Sequence, residues 1–223
     1  MGNFYKWMDE FKPKLPLVVD ASSNPLHLGI PNHTGWEKIV SDPGQAMDGL
    51  FRALEELFDN RSDKLNSVDV IYFCCGPGST LGLPLAAAFV RTILWEGQGK
   101  ISLFQYNALD LASLLSDSSI SSIQAPFRMG KRFLRTGPPY SIGKKEILAE
   151  EVALKDYPDS LHLLGPRQLS IEIPEEKILS YQLEKIGGIE ELSLISEPAE
   201  QPVPYSPQPA TFAKWKGYSP AKN

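Results

Sequence analysis

Ten residues, Cys74-Cys75-Gly76-Pro77-Gly78-Ser79-Thr80-Leu81-Gly82-Leu83, constrain this chain more than any other stretch. Upstream, Val68-Asp69-Val70-Ile71-Tyr72-Phe73 is a β-branched and aromatic run too short for a helix, so it reads as a buried strand. Downstream, Leu83 to Trp95 reads as a helix with Pro84 in its first turn, where a missing N–H costs nothing. The glycines between them allow a tight turn and leave amides uncovered. Free amides at a helix start favour an anion, so the turn reads as a phosphate loop or as a ligand-free strand-to-helix joint. No Gly-Lys-Ser/Thr follows and the glycine spacing is wrong for a dinucleotide fingerprint, so neither of those two motifs applies.

The helix after the turn is unusual. Between Leu83 and Trp95 only Arg91 and Thr92 are polar, so it must be covered on more than one side, by a larger core or by a partner. The preceding helix, Gln45 to Phe58, is amphipathic. Met47, Leu50, Phe51, Leu54, Leu57 and Phe58 recur at three and four, while Arg52, Glu55 and Glu56 fall elsewhere. The two helices together present a candidate contact face of Met47, Leu50, Phe51, Leu54, Ala87, Val90, Arg91 and Leu94.

Earlier in the chain, Leu15 to Asp20 reads as a strand ending in an acid. Leu26 to Ile30 and Trp36 to Val40 follow across short polar turns, which makes an antiparallel meander. Ile101 to Phe104 is a further strand and Ala108 to Leu115 a further helix. Serines at 116–122 mark a seam. Beyond it, Ile123–Ala125 pairs with Arg132–Arg135, Leu161 opens a short strand, and the segment from Glu197 is proline-rich and extended. The expected organisation is α/β, with an N-terminal extension over 1–14, a first lobe over 15–118, and a smaller second lobe with its tail over 119–223. Phe4, Trp7, Met8 and Phe11 share one helical face in the extension.

Composition narrows the function. A net charge of −5 without a Lys/Arg block argues against extended nucleic-acid binding by this chain alone. No apolar run reaches the length of a membrane span. Cys74 and Cys75 are adjacent on a strand, so they point apart and make poor disulfide partners; a reduced, cytoplasmic setting fits. His27, His33 and His162 are the only histidines and form no helical ligand pair, so no metal site is expected. Ser79 has no assignable base, so no catalytic residue is expected either.

The order strand–strand–strand–helix–strand–helix–strand, with an acid closing the first strand, is that of a ribonuclease H-like half. Here the sequence resembles the TsaB family, also called YeaZ. Its members carry Asp-Thr-Ser at the end of the first strand and later Gly-Pro-Gly-Ser-Phe-Thr-Gly-Leu-Arg. This chain has Asp20-Ala21-Ser22 and Gly76-Pro77-Gly78-Ser79-Thr80-Leu81-Gly82-Leu83-Pro84. Pro126-Phe127-Arg128-Met129-Gly130-Lys131 echoes a family Asp-Ala-Arg-Met/Arg-Gly-Glu segment. Pro202 to Tyr205 with Phe212 to Lys216 echoes the family's closing Pro-Val-Tyr and basic-aromatic tail.

The resemblance implies a two-lobed actin-like ATPase fold with little ATPase activity. It implies a scaffold for TsaD, which holds the metal and transfers threonylcarbamoyl to adenosine 37 of tRNA, with the ATPase TsaE joining them. No cofactor of its own is implied; ATP and a metal ion belong to the partner subunits. The same helices would also support a homodimer, and tRNA would be met only through the complex. Several positions depart from the family: Ala21 loses a hydroxyl, Pro84 and Pro126 lose charges, and Lys131 reverses one. A divergent scaffold is therefore the first reading. The alternatives are an active actin-like ATPase using Asp20, Ser22, Gly76, Gly78 and Ser79 for nucleotide or phosphate, and a self-associating scaffold outside the tRNA pathway.

Overall fold

The computed structural model describes residues 13–116, 120–127, 130–163 and 173–205. The helical stripe expected before residue 12 and the aromatic tail expected after Thr211 lie outside these residues. The first sheet contains β1 (Pro16–Asp20), β2 (Leu26–Pro31), β3 (Trp36–Asp42), β4 (Val70–Gly76), β5 (Ser102–Asn107) and β10 (Ser196–Pro198), in the order β10-β5-β4-β1-β2-β3. The β1-β2-β3 meander is antiparallel, whereas β4 and β5 run parallel to β1.

Parallel central strands are covered on both faces, which is why β1 and β4 read as continuous apolar runs. Alternate side chains enter two different layers. Leu17, Val19, Ile71, Phe73 and Cys75 pack under α1 (Ala46–Leu57) and α2 (Gly82–Glu96). Val18, Val70, Tyr72 and Cys74 face the opposite layer, which holds residues of α3 (Ala108–Leu114) and α5 (Gly188–Ile195). The adjacent cysteines therefore sit in different cores, and both are free thiols.

The second sheet holds β6 (Ser122–Pro126), β7 (Lys131–Thr136), β8 (Lys144–Ala149) and β9 (Leu161–His162), in the order β8-β7-β6-β9. An antiparallel meander again comes first, and β9 runs parallel to β6 after the crossover helix α4 (Glu150–Asp156). A parallel bridge from His162 to Ile178 stands where a fifth strand would lie. The second lobe thus repeats the strand order of the first.

All seven residues of α3 are buried. Ala108, Leu111 and Leu114 face the first lobe, while Leu109 and Ala112 face Ile123, Ala125 and Phe133 of the second. The helix is the apolar key between the lobes.

One boundary differs from the expected organisation. The second sheet does begin after 119, but the C-terminal part does not stay with it. Leu183 and Ile186 are buried in the first lobe, α5 packs beside them, and β10 becomes an edge strand of the first sheet. Pro198 suits such an edge, where a missing N–H interrupts no central ladder. The start of α1 is set by the strand before it. Asp42 ends β3 and accepts bonds from Gly44 N at 2.7 Å and from Arg52, so the helix begins only after Gln45.

Candidate functional site

The C-terminal ends of β1, β4 and β5 gather most of the polar candidates. Asp20 closes β1 and is fully buried. Its Oδ1 accepts from Ser22 N at 2.9 Å and Ser22 Oγ at 2.6 Å. Its Oδ2 accepts from the hydroxyls of Tyr106 at 2.9 Å and Tyr181 at 2.6 Å. Burial, and then the Asp20 charge, push both phenols well above their ordinary value. They therefore remain protonated and act as donors. Both carboxylate oxygens thus have their acceptor sites engaged by the protein itself.

The glycine turn lies directly against this corner. A Cβ on Gly78 would stand 2.1 Å from Ser22 O, and one on Gly82 would stand 2.4 Å from Ala21 O. These two glycines are explained by the close approach of two backbones. Ser79 N donates to Ser22 O at 2.7 Å, and Ser79 Oγ accepts from Gly82 N at 2.9 Å, which anchors the start of α2. Asp20, Ser22, Gly76, Gly78 and Ser79 are thus brought together, and these contacts join one part of the corner to another. Among the described residues, no group of three His, Cys, Asp or Glu side chains is placed to hold a metal ion.

A second acid lies at the lobe junction. Asp110 is 1 % exposed and accepts from Arg135 Nε at 3.1 Å, Gly143 N at 2.9 Å and Lys145 Nζ at 2.5 Å. Arg135 has no exposed surface. Its remaining donors reach the carbonyls of Gly137, Pro138 and Ser141. Tyr106 and Asp110 are not among the residues that the sequence patterns single out. In β5, alternation sets Tyr106 on the same face as Phe104, where its hydroxyl meets Asp20, and Asn107-x-x-Asp110 has the form of a helix-start pair, with Asn107 Oδ1 accepting from Leu109 N.

The residues expected on the helix face divide. Leu50, Ala87 and Val90 are buried in the first-lobe core. Leu54 and Leu94 are half-buried. Met47 is 58 % exposed and Phe51 55 % exposed. Arg91 is exposed and reaches Pro202 O at 3.2 Å. The face that looks outward adds residues the spacing did not single out. Phe89 meets Phe51 edge-on at 5.9 Å, and Leu81 and Trp95 are exposed towards the two ends of α2. The apolarity of α2 is explained in part by its cover, since the sheet lies on one side and α1 on another, while Leu81 and Trp95 stay exposed. No helix among the described residues is long and apolar enough to cross a membrane.

An antiparallel meander followed by parallel strands, repeated in two lobes about a shared buried helix, defines an actin-like, ribonuclease H-like fold. YeaZ from Pseudomonas aeruginosa matches with a TM-score of 0.52 at 16% identity, over 86% of this chain and 99% of that one. An uncharacterized protein with similarity to peptidase YEAZ from Pseudomonas aeruginosa matches at 0.50 and 18% identity, over 80% of this chain and 88% of that one. The chain has the YeaZ fold at low sequence identity. No protein-family model matches the chain, and no curated protein does.

Proposed function

We propose that this chain is a non-catalytic scaffold that docks a TsaD-like subunit in threonylcarbamoyl transfer to adenosine 37 of tRNA, in the cytoplasm. The observation that carries the reading is the exposed apolar seam of Met47, Phe51, Leu81 and Trp95 on a YeaZ-like fold. Large apolar side chains left exposed on two packed helices point to an interaction site. The strand-end corner supports the same reading. A cation recruited to Asp20 would have to displace donors that already engage both of its oxygens. This weighs against an ATPase built on that acid.

The test is co-purification of the chain with TsaD from its own organism, for the native protein and for Met47→Glu with Phe51→Glu. The tRNA nucleosides are then analysed after depletion of the chain. Loss of co-elution in the variant, together with a fall in the modified nucleoside on depletion, is expected. Co-elution that survives the variant, or modification that survives depletion, sinks the reading. A second reading, self-association through the same seam, rests on the same exposed side chains. A native protein that elutes only as its own dimer, and a variant that elutes as a monomer, would favour it.

A further inference from the structure

The first-lobe core is thinly covered at the end where α2 stops and β5 starts. Leu15, Leu65 and Ile101 pack against that core, yet each is only half-buried. A concavity of about 240 Å³ lies among them, walled by Leu65, Ile93 and Ile101 and rimmed by the exposed Asn66, Gln98 and Lys100. The chain enters β1 beside it. Lys14 N and Leu15 N donate to the Asp69 carboxylate at 2.7 and 3.1 Å, which fixes the backbone there. Asp69 O accepts from Ser102 N, next to Ile101, at 2.9 Å. Val68 N, just before Asp69, donates to Leu65 O at 3.2 Å. Asp69 thus joins the entry of the chain to two walls of the concavity.

We propose that residues 1–12 are the cover for this end: they fold as a short helix over it, with Phe11 in the concavity and Met8, Trp7 and Phe4 continuing the contact across Leu65 and Ile101. The sequence suits that role. Phe4, Trp7, Met8 and Phe11 recur at three and four, Asn3 stands where an N-cap is wanted, and Pro13 stands just past the last turn. A helix from Phe4 to Lys12 is shorter than the ~12–15 residues below which an isolated helix is marginal, so it needs a surface on which to bury its apolar face. The surface is within reach, since the three residue steps from Phe11 to the fixed Lys14 span at most about 11 Å. So short a tether holds the segment at an effective concentration on the order of millimolar, which places a second copy or a separate partner at a disadvantage for the same concavity. The proposal concerns this chain alone and stands whether or not the TsaD-like partner is the right one.

The experiment is hydrogen exchange read by mass spectrometry on the full chain, at high and low protein concentration, for the native protein and for Trp7→Ser with Phe11→Ser. Peptides from residues 1–12 report the segment, those carrying Leu65 and residues 97–101 report the concavity, and those from β2 and β4 report the core. In the native protein the segment should exchange about tenfold or more slowly than the same residues in urea, the protection expected when at least one aromatic ring is buried. The double variant should lose that protection and speed exchange around the concavity, with β2 and β4 still protected. Dilution should change nothing. The proposal is overturned if the native segment exchanges as fast as in urea, or if its protection fades on dilution, which would assign the concavity to a second copy. It is also overturned if the variant speeds exchange at some other surface and leaves the concavity unchanged. Should the double variant loosen β4 as well, Trp7→Ser alone decides, by the same readings.

Discussion

Arg132 Nη2 lies 3.1 Å from His162 Nδ1, across the buried face of the second sheet. A guanidinium only donates, so Nδ1 accepts and the ring proton sits on Nε2. Arg132 also pairs with Glu150 at 3.0 Å. Burial, then the charges of Arg132 and Lys177, lower the His162 pKa to about 4. Between that value and the ordinary 6.5, the unfolded chain binds a proton that the folded chain refuses. Stability is therefore complete above the ordinary value and falls as pH drops from there through about 4. The expected loss is on the order of 3 kcal/mol. Urea unfolding at pH 7, 5.5 and 4.5 checks this, with His162→Gln as the control whose stability should lose most of that slope. An equal slope in the control would assign the effect to other groups.

Gly188 opens α5 with φ +63, and a Cβ there would stand 2.3 Å from Asn32 O and 2.5 Å from Gly35 N. The tip of the β2–β3 hairpin caps this helix, with Ile189 N donating to Asn32 O and Glu190 N to His33 O. Neither backbone can move away without breaking the cap. Gly188→Ala should therefore cost roughly 3 kcal/mol or more, combining left-handed strain with a backbone clash. Gly99 is the comparison. It has φ +78, but a Cβ there would meet nothing within 4 Å, so Gly99→Ala should cost only about 1–2 kcal/mol. Denaturant midpoints for the two variants separate the causes, and equal midpoints would remove the clash from the account.

Burial raises the pKa of both thiols, that of Cys75 to about 12 and that of Cys74 well above its ordinary value. The thiolate is the reactive form, and both residues are buried in the folded state. Ellman's reagent at pH 8 should label the native protein only as fast as it unfolds, and label both cysteines promptly in urea. Rapid native labelling of even one thiol would contradict the buried placement.

The first lobe was legible because its elements speak through strong local patterns. β1, β2, β4, α1 and α2 are uninterrupted apolar or amphipathic runs closed by Asn24-Pro25, Asp42-Pro43 and Gly76-Pro77. The C-terminal part was harder. Ser141 to Leu154 resolves into β8 and α4, but its charges hide the alternation, and β10 has three residues that take their meaning from Tyr106, Gln105 and Phe104 across the ladder. The strand-end corner was legible in part. Asp20 and the glycines could be singled out as neighbours of a turn. Tyr181 could not, because it reaches Asp20 across 161 positions of chain that no local pattern connects.

The same limit shaped the helix face, and it yields the sharpest contrast between neighbouring residues. Leu50 and Phe51 are adjacent and similarly apolar, yet Leu50 is 2 % exposed against the sheet while Phe51 is 55 % exposed over Phe89. A broad apolar stripe shows that a helix is buried along one side without showing where the stripe leaves the core. Leu50→Ala should empty a packed site and cost about 2–5 kcal/mol. Phe51→Ser gives up only the part of its ring that rests on Phe89, so it should cost about 1 kcal/mol or less. Its effect should instead fall on association, as weaker co-elution with a TsaD-like partner or a dimer that dissociates on dilution. Thermal melts and size-exclusion profiles of the two variants, run side by side, test this. If Phe51→Ser destabilised the fold as much as Leu50→Ala, the seam would belong to the core, and the docking surface would have to be sought elsewhere.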